Sequence, residues 1–119
     1  MSQLNPETRR SKTSTVKWTK ARLEKLIEQA CVDAYGEDEQ LVGFEVHLQD
    51  SLQVPFETKV LGETVTVESV GLNDTSDMVA TCRRGEHTLN VALADLPLPR
   101  PAPKGAEWIA AFRLWREGW

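Results

Sequence analysis

The sequence is poor in cysteine and contains no long apolar run. Only two cysteines, Cys31 and Cys82, occur among the 119 residues, and neither belongs to a CxxC pair or a Cys/His cluster. This argues against a disulfide scaffold and against a zinc site, and it suits a reducing cytoplasm. No apolar stretch approaches the roughly 18 residues of a transmembrane helix, and the polar residues 1–15 do not resemble a secretory signal peptide. We therefore expect a cytoplasmic protein without a membrane partner.

The sequence also lacks the common signatures of catalysis. It has no GxSxG motif and no phosphate-binding glycine loop, and neither His47 nor His87 has a nucleophile beside it. Cys31 falls on the apolar face of a predicted helix, where a buried structural thiol is more common than a reactive one. A triad built from distant residues would leave no local signature. Nothing in the chain favours an enzyme.

Charge is distributed very unevenly along the chain. Residues 1–30 contain seven Lys/Arg and three Asp/Glu. Residues 31–96 contain three Lys/Arg and thirteen Asp/Glu, and residues 97–119 contain four Lys/Arg and two Asp/Glu. The corresponding net charges are +4, −10 and +2. An acidic body repels nucleic-acid phosphates and attracts cations. We therefore expect no nucleic-acid partner for the folded body.

The pattern predicts one domain with a basic arm. Residues 1–15 are interpreted as a disordered arm, residues 16–96 as a helix plus a small β-barrel, and residues 97–119 as a proline-rich connector and a tryptophan-rich helix packed on the same domain. Apolar residues spaced by three and four predict the first helix. It is expected to begin after Thr19, as N-cap, and to end at Gly36, as a C-cap glycine.

Five short strands are predicted after this helix. The first is assigned where Phe44, Val46 and Leu48 alternate with polar residues. The other four are expected over residues 55–60, 64–68, 78–83 and 87–93. Short strands joined by tight turns are typical of a small bent barrel of the SH3 or Sm type. The predicted fold class is thus α+β, with an N-terminal helix packed on a five-stranded SH3/Sm-like barrel and a short C-terminal helix.

All four tryptophans lie outside the predicted barrel, at Trp18, Trp108, Trp115 and Trp119. The last helix is expected to begin near Ala106, with its aromatic residues on one stripe. The favoured interpretation is that tryptophans fill the seam where the helices pack against the barrel. The alternative is an exposed aromatic patch, at Trp115 and Trp119, that binds a partner protein.

Carboxylates cluster around the predicted end of the first helix and around the first strand: Asp33, Glu37, Asp38, Glu39 and Asp50. Asp33 and Glu37 are four residues apart and share a face if the last helical turn holds. Like charges at the negative end of a helix are unfavourable without a counter-ion. Ca²⁺ accepts about six to eight oxygen ligands in irregular geometry. A Ca²⁺ site and a solvated acidic turn both remain open.

A second cation-binding candidate is the loop Asn73-Asp74-Thr75-Ser76-Asp77. The same composition is what any β-turn prefers, because Asn, Asp and Ser side chains bond to their own backbone. Neither candidate matches the EF-hand loop signature. A calcium site here must therefore be assembled from separate elements.

Four segments together are similar to a known family: residues 32–40, residues 44–50, Pro55-Phe56 and residues 60–65. Its most specific part is the pattern DAYGEDEQ…G…L-x-D-x-L-x-x-PF, and the likeness spans about residues 22–95. The chain resembles the small bacterial calcium-binding proteins of the CcbP-like family, known from cyanobacteria.

The resemblance implies Ca²⁺ held by surface carboxylates on a helix-plus-barrel fold, and a cytoplasmic role in buffering calcium. It implies the following ligands: Asp33, Glu37, Asp38, Glu39 and Asp50. Gln49 departs from the family pattern, which has an acidic residue before Asp50, and fewer charged ligands imply weaker binding. The leading hypothesis is a calcium-ion-binding buffer or sensor. The alternative is a non-catalytic protein–protein interaction module with an SH3/Sm-like barrel.

Overall fold

Three α-helices and an antiparallel sheet form the described chain, residues 18–118 of a computed structural model. In chain order the elements are α1 (Lys20–Ala30), α2 (Glu37–Ser51), β1 (Phe56–Val60), β2 (Glu63–Leu72), β3 (Met78–Arg84), β4 (His87–Ala92), a 3-10 turn (Leu93–Asp95) and α3 (Glu107–Arg116). The predicted α+β class is confirmed. The predicted arm, residues 1–15, and Trp119 lie outside the described residues.

The sheet is an open meander in the order β1-β2-β3-β4. These strands correspond to the last four predicted ones, and a bulge between Val67 and Ser69 accompanies the longer β2. One face is apolar and carries the buried Val65, Val67 and Cys82, whereas the other is polar. Within residues 18–118 there are four strands in an open sheet, so the predicted five-stranded barrel is not confirmed.

The predicted first strand is wrong, because its residues form the middle of α2. Phe44 and Leu48 are fully buried, whereas Val46, which a strand would turn toward the core, is 57% exposed. A separation of four residues places two side chains on one face of a helix and also on one face of a strand. Leu41 and Leu52 extend the buried row at helical spacing, at three residues before Phe44 and four after Leu48.

The first helix begins as predicted and ends earlier than predicted. The Oγ1 atom of Thr19 accepts a hydrogen bond from the backbone N–H of Arg22 at 3.1 Å, which caps α1. The helix ends at Ala30, six residues before Gly36, the predicted C-cap. Gly36, with φ of 138°, is instead the N-cap residue of α2. Glycine is found at both kinds of boundary, so its position alone does not reveal which helix it bounds.

Helix α2 packs on the sheet at β2, and the three helices pack against one another. Phe44 of α2 meets Phe112 of α3 edge to face at a centroid distance of 5.7 Å, and it lies 5.2 Å from the Trp115 ring. His47 of α2 stacks on Trp108 of α3 at 4.2 Å, with an interplanar angle of 10°. The aromatic seam therefore lies between α2 and α3, whereas the sequence predicted it where the first and last helices meet the barrel.

Helices α1 and α2 approach closely at one glycine. A Cβ atom built on Gly43 would overlap the carbonyl oxygen of Ala30, the last residue of α1. Any larger residue at position 43 would push the helices apart. None of the helices in the described part of the chain has the length and apolarity that crossing a bilayer requires.

Candidate metal site

The loop of residues 31–36 joins α1 to α2 and carries the first candidate carboxylate. Asp33 has a left-handed backbone, with φ of 58°. The loop is held by backbone hydrogen bonds, from the N–H of Ala34 to the oxygen of Cys31 at 3.0 Å and from the N–H of Gln40 to the oxygen of Gly36 at 3.0 Å. Apart from its chain neighbours, no described residue has a heavy atom within 4 Å of a Cβ built on Gly36, so the space beside this glycine is open.

Three exposed carboxylates, those of Glu37, Asp38 and Glu39, occupy the first turn of α2. A helix N-terminus carries partial positive charge, so acidic residues stabilise it. These charges therefore lie at a helix start and not at the helix C-terminus that the sequence had suggested, and the helix itself stabilises them without a counter-ion. Three successive acidic residues after Gly36 are a start signal that the sequence already contained.

One of these carboxylates is already used within the protein. The backbone N–H of Tyr35 donates to Oε1 of Glu39 at 2.7 Å, in the manner of a capping box. Within residues 18–118, the carboxylates of Asp33, Glu37 and Asp38 make no hydrogen bond or ion pair. These three side chains keep all their oxygen atoms free for a ligand.

The structure does not bring the five predicted ligands together in one place. Asp33 lies in the loop and does not share a helix face with Glu37, as the sequence had suggested. Asp50 lies in the last turn of α2, thirteen residues after Glu37, which corresponds to about 20 Å along the helix axis. Four of the five candidates therefore fall within seven residues, and Asp50 is remote from them.

The side chains around the start of α2 have the oxygen atoms that a hard cation prefers, but their positions do not form a coordination shell. Carboxylate oxygens are the ligands that Ca²⁺ prefers. Among residues 18–118, no three or more His, Cys, Asp or Glu side chains are placed so that they could jointly hold a metal ion. In this conformation the loop and first turn of α2 offer suitable oxygen atoms without gathering them into a shell.

The second candidate, residues 73–77, is a self-bonded turn. Oδ1 of Asn73 accepts hydrogen bonds from the backbone N–H groups of Thr75 at 3.0 Å and Asp77 at 2.9 Å. The Thr75 hydroxyl donates to Oδ2 of Asp77 at 2.8 Å. These polar groups satisfy one another, which supports the β-turn interpretation.

Two hydrogen bonds link α2 to β2, and no local sequence pattern signals them. The backbone N–H of Leu72 donates to Oε2 of Glu45 at 2.8 Å, and Nε2 of Gln49 donates to the oxygen of Val70 at 3.0 Å. The pairing of β1 with β2 stops at Val67, so helix side chains provide partners where β1 does not reach. An ionised carboxylate at position 49 could not donate this bond, which gives Gln49 a structural role.

Comparison with known proteins places this arrangement in a family. A family model described as calcium binding, that of the CcbP proteins, matches residues 24–116. Anabaena CcbP has a similar structure, with a TM-score of 0.63 and 22% sequence identity over 85% of this chain and 93% of that one. A calcium-binding protein solved in its calcium-binding form has a TM-score of 0.62 and 22% sequence identity, over 80% of this chain and 89% of that one. The search of curated proteins gives no match. Because the family model covers most of the chain, the chain belongs to the CcbP family of calcium-binding proteins.

Proposed function

We propose that this chain binds Ca²⁺ as a buffer or sensor, through surface carboxylates and without an EF-hand. The observation that carries the proposal is the match to a calcium-binding family over residues 24–116, a range that contains the loop and the acidic first turn of α2. The chain acts by binding the ion and not by catalysis. The calcium ion is its ligand.

The proposed ligands are the carboxylates around the start of α2. Asp33, Glu37 and Asp38 have free, exposed oxygen atoms, and Glu39 has a second oxygen beyond the one that accepts from Tyr35. The positive end of the helix opposes a cation, while the accumulated negative charge attracts it. We therefore expect modest affinity. Asp50 is too remote to share a shell with these residues, so its neutralisation tests a separate second site.

Calorimetric titration of chelator-treated protein with Ca²⁺, with Mg²⁺ in parallel, tests the proposal. The ligand variant is Asp33→Asn combined with Asp38→Asn, and the matched control is Glu57→Gln combined with Glu86→Gln. The control removes the same charge from exposed residues of β1 and the β3–β4 turn. Saturable heat that favours Ca²⁺, weakened in the ligand variant and preserved in the control, supports the proposal. Absence of heat at millimolar Ca²⁺, or equal loss in both variants, contradicts it.

We place the protein in the bacterial cytoplasm, where free thiols are stable. Cys31 and Cys82 are both unpaired, and Cys82 is fully buried on the apolar face of β3. The family's cyanobacterial relative supports a bacterial source. A role in calcium homeostasis is the corresponding proposal, and a change in the free-calcium transient of a deletion strain would test it.

The alternative, an interaction module that uses Trp115 and Trp119, has weaker support. The ring of Trp115 is half-buried against Phe44 and Phe112, and its Nε1 donates to Oε1 of Gln40 at 2.9 Å. Trp115 thus serves the packing of α3 on α2. Trp119 lies outside the described residues.

A further inference from the structure

The two edges of the sheet have different surroundings. At the β1 edge, the hydroxyl of Thr58 donates to the carbonyl oxygen of Pro97 at 2.6 Å, so the proline-rich segment lies against this strand. At the other edge, β4 packs extensively on β3 alone among the elements described. Within residues 18–118, residues 87–92 make no backbone–backbone hydrogen bond outside the β3 ladder. In the described part of the chain, no element therefore pairs with the outer edge of β4.

Strand β4 also lacks the usual protection of an edge strand. Natural sheets protect their edges with lysine, proline, bulges or a covering element. The sequence from His87 to Ala92 contains no proline and no Asp, Glu, Lys or Arg, and its pairing with β3 is regular throughout. Leu89 lies opposite the buried Cys82 and so faces the apolar side of the sheet, yet it is 37% exposed.

An apolar groove adjoins this edge. It has a volume of about 310 Å³ and is lined by Val60, Leu61, Glu63, Val65, Arg84, His87 and Leu89. Leu61, at the β1–β2 turn, is 97% exposed. Apolar surface therefore extends across this end of the sheet, from the β1–β2 turn to Leu89 of β4. A strand added to β4 would gain main-chain hydrogen bonds from the edge and side-chain burial beside Leu89.

We propose that the β4 edge binds the β4 edge of a second copy of this chain, in antiparallel orientation. A two-fold axis through Asn90 sets Leu89 of one copy beside Val91 of the other on the apolar side. Residues 31–96 carry a net charge of −10, which opposes the association of this acidic body with its own copy. Strand β4 carries no formal charge with histidine neutral, so it meets its own copy without that repulsion. The strand is short, and we infer a reversible dimer with a smaller interface than the roughly 800 Å² per partner of stable complexes.

Sedimentation of the full chain from micromolar to millimolar concentration tests the proposal, starting from a monomer mass of 13.4 kDa. We expect the average mass to rise with concentration. Leu89→Lys places a charge on the apolar side of the edge and should weaken association at least tenfold. Thr64→Lys, which adds the same charge to an exposed position of the inner strand β2, should leave association unchanged.

Amide hydrogen exchange of the wild-type chain keeps the test independent of how Leu89→Lys folds. Outward-facing amides within residues 87–92 should exchange more slowly at high concentration than at low concentration. A chain that stays monomeric to millimolar concentration overturns the proposal. So does a dimer that Leu89→Lys leaves intact, or a dimer in which exchange from β4 does not depend on concentration.

Discussion

The carboxylate of Glu45 accepts a hydrogen bond from the backbone N–H of Leu72 at 2.8 Å, across 27 residues of sequence. It attaches the middle of α2 to the end of β2. The neighbouring bond from Gln49 to the oxygen of Val70 is one helical turn away. Together they hold the helix that carries the acidic first turn against the sheet.

Replacing Glu45 with alanine should lower the free energy of unfolding by about 1–3 kcal/mol. The change leaves the part-buried N–H of Leu72 without its partner, and an unsatisfied buried donor costs an amount of this order. Urea denaturation measures the loss. Glu45→Gln, which still offers an acceptor oxygen, should retain most of the stability. Equal losses in the two variants would show that the hydrogen bond is not the cause.

The helical assignment of residues 37–51 predicts unequal effects for Leu48 and Val46. Leu48→Ala should cost about 2–5 kcal/mol, because it opens a cavity beneath a fully buried side chain. Val46→Ala should change stability by about 0.5 kcal/mol or less, because the valine is mainly exposed. Chemical denaturation of both variants decides the matter. A strand would give large losses at both positions.

Gly43→Ala should destabilise the protein by about 1–3 kcal/mol or more, because the new methyl group would overlap the carbonyl oxygen of Ala30. Since that oxygen belongs to the backbone, relief requires α1 and α2 to separate. The thermal midpoint of the variant provides the measurement, and Val42→Ala, at the exposed neighbouring position, is the control. An unchanged midpoint in Gly43→Ala would mean that the helices are not in close contact.

Burial raises the pKa of the buried Cys82 thiol, and it also raises the pKa of the half-buried Cys31 thiol. Unfolded thiols ionise at about pH 8.5, whereas the folded thiols keep their protons to higher pH. The stability that the protonated thiols contribute is therefore complete below that pH. It declines as the pH rises from the pKa of the unfolded thiols to the higher pKa of the folded thiols. In native protein, iodoacetamide should label Cys31 first and Cys82 only as the chain unfolds. Equal labelling rates would contradict the burial of Cys82.

The parts of the fold that the sequence predicted depend on local signals. Thr19 caps α1 by bonding three residues ahead, and the turns around Gly62 and Gly85 join neighbouring strands. These features need no knowledge of distant residues. The segment around Phe44 was different, because its spacing satisfies two periodicities. Contact with Phe112, far along the chain, accompanies the helical form.

The candidate site was predictable in composition and not in placement. The carboxylates from Asp33 to Glu39 lie in one loop and in the first helical turn after it, without forming a group in the described residues that could hold a metal ion. Gly36 was predicted to end the first helix, which would place these carboxylates at a negative helix C-terminus. Gly36 instead begins α2, so they lie at a positive N-terminus. The strand predicted around Phe44, Val46 and Leu48 also concealed the length of α2, which separates Asp50 from the other candidates. The bond from Leu72 to Glu45 depends on tertiary packing, which no local pattern encodes.

The close approach at Gly43 has a consequence for the loop that precedes α2. Because the end of α1 rests on the body of α2, both ends of the segment from Cys31 to Gly36 are fixed before any ion arrives. The chain therefore loses the conformational entropy of closing this loop when it folds, and not when an ion binds. We therefore expect ion binding to order mainly side chains and to leave the angle between α1 and α2 unchanged. We expect little change of shape on binding, which is the behaviour of a calcium buffer more than of a sensor.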